Sequence, residues 1–269
     1  MGEYGCAELV CYNRRMKHRF ILYFLFLLTA CRGGTAAPDP LLVAAASDLQ
    51  FAFAEIGPLF EAETGRPVIF TFGSTGNLTT QIENGAPFDI LAAANVAFVE
   101  RLTAQGLTIP DTQQLYAQGR IVLVVNRQTG LQATELADLL NPAISRIAIA
   151  NPAHAPYGLA AQEALQSAGV WTAVQGKLVF GENVSQTLQF VQTGDAPVGI
   201  VALSIANVPE VTGTLLPDDL HAPVNQALAV IKSTPREEAA RAFIAFAGSP
   251  TGREIMKRYG FLLPGEFEE

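Results

Sequence analysis

Two serines stand where side chains could do chemistry. Ser47 follows the apolar run Leu41–Ala46 in the string VAAASDL, and Ser74 follows VIFTFG in VIFTFGSTGNL. Beyond each, apolar residues return at helical spacing: Leu49, Phe53, Ile56 and Phe60 after the first, Leu78 and Ile82 after the second. Each hydroxyl therefore sits at a strand-to-helix corner, beside backbone N–H groups that have no intrahelical acceptor. A single serine so placed is most simply a helix cap. A pair of such corners, in strings free of Lys and Arg, describes instead a neutral cage for a small anion, built from hydroxyls, amides and helix dipoles.

Two further segments qualify, because ligands in open α/β sheets gather beyond the carboxyl ends of strands. The first is NPAHAPYG (Asn151 to Gly158), where Tyr157 offers a hydroxyl. The second is GENVS (Gly181 to Ser185), where Val184 offers a backbone N–H and Asn183 is placed to cap the helix that follows. Asp48 can contribute its amide. Its carboxylate would repel an anion, so it is expected to point away and cap its own helix.

Other chemistries fit poorly. A serine nucleophile needs a base beside it, and the chain holds three histidines: His18, His154 and His221. Phe72 replaces the first glycine of a nucleophile elbow around Ser74, and His154 reads as a turn residue facing solvent. No His, Cys, Asp or Glu cluster has metal-ligand spacing, so neither metal nor cofactor is expected.

The elements that must position these residues alternate strand and helix, the pattern of a parallel α/β sheet. Strands are expected at Leu41–Ala46, Val68–Phe72, Phe88–Ala93, Ile121–Val125, Ile147–Ala150, Leu178–Phe180, Val198–Val201 and Ala227–Ile231. Helices are expected at Asp48–Glu63, Thr75–Asn84, up to Gln105, Thr134–Leu140, Leu159–Ala168, Val184–Thr193, Arg236–Ala247 and Thr251–Tyr259. Two successive α/β units and a returning C-terminal segment suggest two lobes around a cleft. The first takes residues 41–117 plus 226–269, and the second residues 118–225.

Of the 269 residues, 49% are hydrophobic and 16% charged, which suits full cores and argues against disorder. Beyond residue 30, 13 basic face 23 acidic side chains, a balance of −10. So acidic a body is unsuited to nucleic acid, and it must hold any anion by local dipoles against its own field. The start of the chain reads as a targeting segment over residues 1–30, with Arg14, Arg15, Lys17 and Arg19 before the apolar stretch Phe20–Ala30. That stretch is shorter than the roughly 20 residues a spanning helix needs, and translation from Met16 would give it a more usual start. It ends in Leu28-Thr29-Ala30-Cys31, which resembles a bacterial lipobox and implies lipidation of Cys31. Residues 31–40 then form the lipidated cysteine and a flexible tether.

Taken in order, AAASDL, FGSTGNLTTQIENGAPFDILAAAN, NPAHAPYG, GENVSQTL, APVGIVALS and KRYGF resemble the periplasmic molybdate-binding proteins of ABC importers, over residues 41–263. The resemblance implies a two-lobed type II periplasmic binding protein that traps molybdate or tungstate by hinge closure and delivers it to a membrane permease. It would be a monomer, extracytoplasmic and held to the membrane by lipid alone. It also implies that Ser47 and Ser74 hold the oxyanion, with Val184 and the Asp48 amide. None of these ligates the metal atom directly. Many family members carry a tyrosine in the string GIVY, where this chain has Ala202; Tyr157 stands where another branch places its donor. A receptor for sulfate or another tetrahedral oxyanion, and an anion sensor that serves no permease, share this pattern.

Overall fold

The computed structural model describes residues 38–267; the targeting segment, Cys31 and most of the tether lie outside them. Four strands come first: β1 (Leu41–Ala46), β2 (Val68–Gly73), β3 (Ile90–Ala93) and β4 (Gln114–Gly119). Five follow in a second sheet: β5 (Ile121–Asn126), β6 (Ile147–Ala150), β7 (Leu178–Gly181), β8 (Val198–Ala202) and β9 (Val211–Leu215). The chain then returns with β10 (Val224–Val230). The sheet orders are β2-β1-β3-β10-β4 and β7-β6-β8-β5-β9. In each sheet one strand is reversed, β10 in the first and β5 in the second, and it pairs antiparallel on both sides. The other strands of each sheet share one direction, so both sheets are mainly parallel.

Among the described residues, eight helices flank these sheets: α1 (Gln50–Thr64), α2 (Thr75–Glu83), α3 (Val96–Ala104), α4 (Pro156–Ser167), α5 (Trp171–Val174), α6 (Val184–Gln192), α7 (Glu237–Ala247) and α8 (Pro250–Arg258). The sequence encodes the arrangement through burial. β1, β3 and β8 are almost wholly buried runs of Ala, Val, Ile and Leu, with Gly199 in β8 the one exception in residue type, as strands covered on both faces must be. On the first sheet, Phe53 and Phe60 of α1 meet Phe243 of α7 edge to face, at centroid distances of 5.7 and 5.3 Å.

Several expected elements need correction. Thr134–Leu140 forms no α-helix; a 3₁₀ segment spans Leu136–Leu140. Asp138 accepts from the Thr134 and Glu135 amides, and Asn141-Pro142 ends the turn before a second can form. β4 and β9 were not anticipated, because QLYAQG and VTGTL are too polar and glycine-containing to read as buried strands. α4 starts three residues before the expected Leu159, with Pro156 in its first turn. That shift brings Tyr157 to the helix N-terminus.

Candidate functional site

One small pocket, partly open to solvent and with a cavity volume of only about 10 Å³, lies between the carboxyl ends of the two sheets. Ala46, Ser47, Asp48, Gly73, Ser74, Thr75 and Ala94 line it from the first lobe, and Ala155, Pro156, Tyr157 and Val184 from the second. All five residues singled out from the sequence (Ser47, Asp48, Ser74, Tyr157 and Val184) thus meet at one place. No Lys, Arg or His is among the lining residues.

Each wall is a strand end joined to a helix start. Ser47 opens a 3₁₀ turn, Ser47–Leu49, directly after β1 and ahead of α1; Ser74 is the N-cap residue of α2 directly after β2. Neither serine side chain caps its helix; Ser47 Oγ is left for the cavity, while Ser74 Oγ lies 2.9 Å from His154 Nδ1. Thr75, Tyr157 and Val184 lie in the first two positions of α2, α4 and α6, where amides lack an intrahelical acceptor. Asn183 caps α6 as expected: its Oδ1 accepts from the Ser185 and Gln186 amides at 3.0 Å each, which leaves the Val184 amide uncapped. The alanines at the end of β1 and after β3 keep the floor small enough for these helix starts to converge.

The lobes are closed on one another by hydrogen bonds across the cleft. Ser185 Oγ donates to Ser47 O at 3.0 Å and lies 2.9 Å from Gln50 Oε1. Ser204 Oγ donates to Asp48 O at 2.8 Å. The Gly76 amide donates to His154 O at 2.9 Å, and Asn77 Nδ2 to Glu182 Oε1 at 2.5 Å. Glycine at 76 is required there, since a Cβ would lie 2.7 Å from His154 O. His154 itself corrects the sequence reading. It lies in a turn as expected, but it is half-buried rather than facing solvent, with Nδ1 2.9 Å from Ser74 Oγ.

Asp48 is the second correction. Its carboxylate does not cap its helix; it is 1% exposed and turned toward the cleft base. Oδ2 accepts from Tyr157 Oη at 2.9 Å and from Gln226 Nε2 at 2.7 Å, while Tyr116 Oη donates to Gln226 Oε1 at 2.6 Å. A neutral donor network built from the second lobe's α4 and the first lobe's β4 and β10 outcompetes the local cap. Burial pushes the Asp48 pKa up to about 6, with the Gln226 and Tyr157 hydrogen bonds pulling the other way. Burial, then the nearby Asp48 charge, holds the Tyr116 and Tyr157 hydroxyls well above their usual range, so both remain protonated donors. Tyr157 therefore spends its hydroxyl proton on Asp48 in this closed form, leaving its backbone amide as its free donor to the cavity.

Sequence reasoning missed Gln226, Tyr116, Ser185, Ser204 and Gly76. Gln226 carries a usable signal, a polar residue inside the buried run VNQALAV; the others carry none that spacing reveals. The cavity can hold a small anion by hydroxyl and amide hydrogen bonds at converging helix starts. The one serine–histidine contact beside it, Ser74 Oγ to His154 Nδ1, has no carboxylate hydrogen-bonded to the imidazole among the described residues.

A family model of bacterial extracellular solute-binding proteins matches residues 41–262. The molybdate-binding protein ModA of Rhodobacter capsulatus is 33% identical over 228 residues, 84% of this chain and 90% of that protein. The molybdate-binding protein ModA of Azotobacter vinelandii is 35% identical over 238 residues, 87% of this chain and 93% of that protein. The solved structure of the periplasmic molybdate-binding protein of Azotobacter vinelandii superposes with a TM-score of 0.77 at 30% identity, covering 83% of this chain and 99% of that one. With its two five-stranded sheets and its interlobe cavity, this chain belongs to the bacterial extracellular solute-binding protein family.

Proposed function

We propose that this protein captures molybdate or tungstate outside the cytoplasm and hands it to the permease of an ABC importer, as a solute-binding protein with no catalytic step. The observation that carries the reading is the cavity wall itself: two uncapping serine hydroxyls and three helix starts converge from both lobes with no cation among them. A relative named for molybdate binding, 35% identical over 87% of the chain, supports the choice of oxyanion. Lipidation of Cys31 would keep the protein on the membrane face, where a monomer can reach its permease by diffusion in two dimensions.

Physically, a tetrahedral dianion presents oxygens in four directions, and donors arriving from both lobes match that shape only when the cleft is shut. Charge-assisted hydrogen bonds of this kind contribute about 1.5–3 kcal/mol each. With rigid amides on both sides, size discriminates between oxyanions: donors set for a larger ion cannot close on sulfate without strain. Residues 32–269 titrated calorimetrically with molybdate, tungstate, sulfate and phosphate test this. Molybdate and tungstate are expected to bind and to raise the melting temperature, with sulfate far weaker. Sulfate binding as tightly as molybdate would assign the site to tetrahedral oxyanions in general.

A further inference from the structure

The cleft base holds a buried acid with no countercharge, in the wall of a cavity shaped for an anion. Asp48 Oδ2 receives both available donors, Tyr157 Oη and Gln226 Nε2. Oδ1 is buried and has no hydrogen-bond partner among the described residues. Among the described residues, no Lys, Arg or His forms an ion pair with Asp48. Every group facing it is neutral: Tyr157 from α4, Tyr116 and Gln226 from β4 and β10, and Ser204 after β8, whose hydroxyl binds the Asp48 carbonyl. An ionised carboxylate here would stand as a third negative charge beside a bound dianion, in surroundings where charges are poorly screened. A buried acceptor left unpaired adds a further cost.

We propose that Asp48 binds the oxyanion as a neutral carboxylic acid, its Oδ1–H donating a hydrogen bond to a ligand oxygen, so that capture takes up one proton from solvent and release returns it. This rests on the oxyanion reading above. One protonation event removes the repulsion and turns the unpartnered carboxylate oxygen of a cavity-lining residue into a donor. The Tyr157 and Gln226 donors fix the proton's position, because both occupy Oδ2 and leave Oδ1 as the free oxygen. The raised pKa of the buried carboxyl points the same way. Asp48 then also sets selectivity, since its acid proton has a bonding partner only when an acceptor oxygen fills the cavity.

The linkage has a definite sign. The bound state holds the extra proton, so affinity is greatest below the pKa of Asp48 in the ligand-free protein and falls above it, by up to about tenfold per pH unit. Calorimetric titration of the mature protein with molybdate, in buffers of different protonation enthalpy, counts the protons directly. Wild type is expected to take up close to one proton per molybdate at about pH 7–8. Asp48→Asn, whose amide supplies a donor without a charge, is expected to take up none, to bind with a pH-independent Kd and to exceed wild type at high pH. Wild-type binding with no proton exchange and a flat pH profile overturns the proposal while leaving the oxyanion reading intact; uptake that persists in Asp48→Asn overturns it by placing the proton on another group. Failure of wild type to bind any oxyanion at any pH defeats the oxyanion reading itself. Should Asp48→Asn fail to fold, Tyr157→Phe removes a donor that favours the ionised form, so the pH at which Kd begins to weaken must rise; an unmoved onset is the refuting result.

Discussion

Gly76→Ala separates closure from folding more cleanly than any change to a ligand-contacting side chain. Gly76 is the second residue of α2 and has an ordinary negative φ, so alanine is compatible with its backbone. On helix propensity alone the substitution favours the first lobe by up to about 1 kcal/mol. Closure is another matter. The new Cβ would lie 2.7 Å from His154 O, 2.9 Å from His154 Cβ and 3.0 Å from His154 Cα, all in the opposite lobe. Two of those atoms are backbone and cannot rotate away. Overpacking of this kind costs about 1–3 kcal/mol, and separation of the segments also weakens the Gly76 N–H to His154 O bond, a further 0.5–1.5 kcal/mol or so. The closed state alone bears the sum, about 1.5–4.5 kcal/mol, or roughly 10- to 1,600-fold in Kd at 1.4 kcal/mol per decade. Calorimetric affinity for molybdate and the ligand-free melting curve should therefore move apart, the first weakening and the second unchanged or slightly raised. A variant with wild-type affinity would refute the claim that α2 and the His154 segment touch in the bound form. Parallel loss of affinity and ligand-free stability would show that the glycine serves the first lobe internally.

Two further substitutions probe the site and the scaffold. Ser47→Ala and Ser74→Ala each remove one charge-assisted donor and should weaken molybdate binding by about 1.5–3 kcal/mol, with little change in the ligand-free melting temperature; unchanged binding in both would remove the serines from the site. Arg236→Ala strips its ion pair, at 2.9 Å, from Asp89, a carboxylate only 1% exposed that also accepts from the Leu42 amide and Thr234. Leaving that charge buried should cost about 3–5 kcal/mol in denaturant unfolding, and a loss within experimental error would show that the remaining donors suffice.

The serine corners were legible because chemistry and periodicity coincide there: an apolar run stops at a small polar residue, and a helical stripe begins. Tyr157 and Val184 were legible for a related reason, since they stand in the segments that lead from β6 and β7 into the next helices. Asp48 was not. An acid at the start of a helix reads locally as a cap, and the groups that claim it instead, Tyr157 and Gln226, lie 109 and 178 residues along the chain. The His154 contact to Ser74 spans 80 residues and is equally invisible to local pattern. The hydrogen bonds that join the lobes belong to the closed fold, whereas the donors that line it are written at strand ends. Edge strand β9 escaped notice because an edge tolerates threonine and glycine where a central strand would not.

The strand order of the first sheet also dictates a schedule of assembly. β4 has one strand partner, β10, which wedges between it and β3, and a single bridge from Gln118 to the later Leu262. As the chain emerges from its N-terminus, residues 114–119 must wait unpaired until residues 224–230 arrive, while the second sheet, contiguous from β5 to β9, has every strand it needs beforehand. The half of the molecule that begins first is therefore finished last, by a non-local pairing of the kind that slows folding. For a protein destined to act outside the cytoplasm, that delay keeps the nascent chain pliable for longer before its shape is locked.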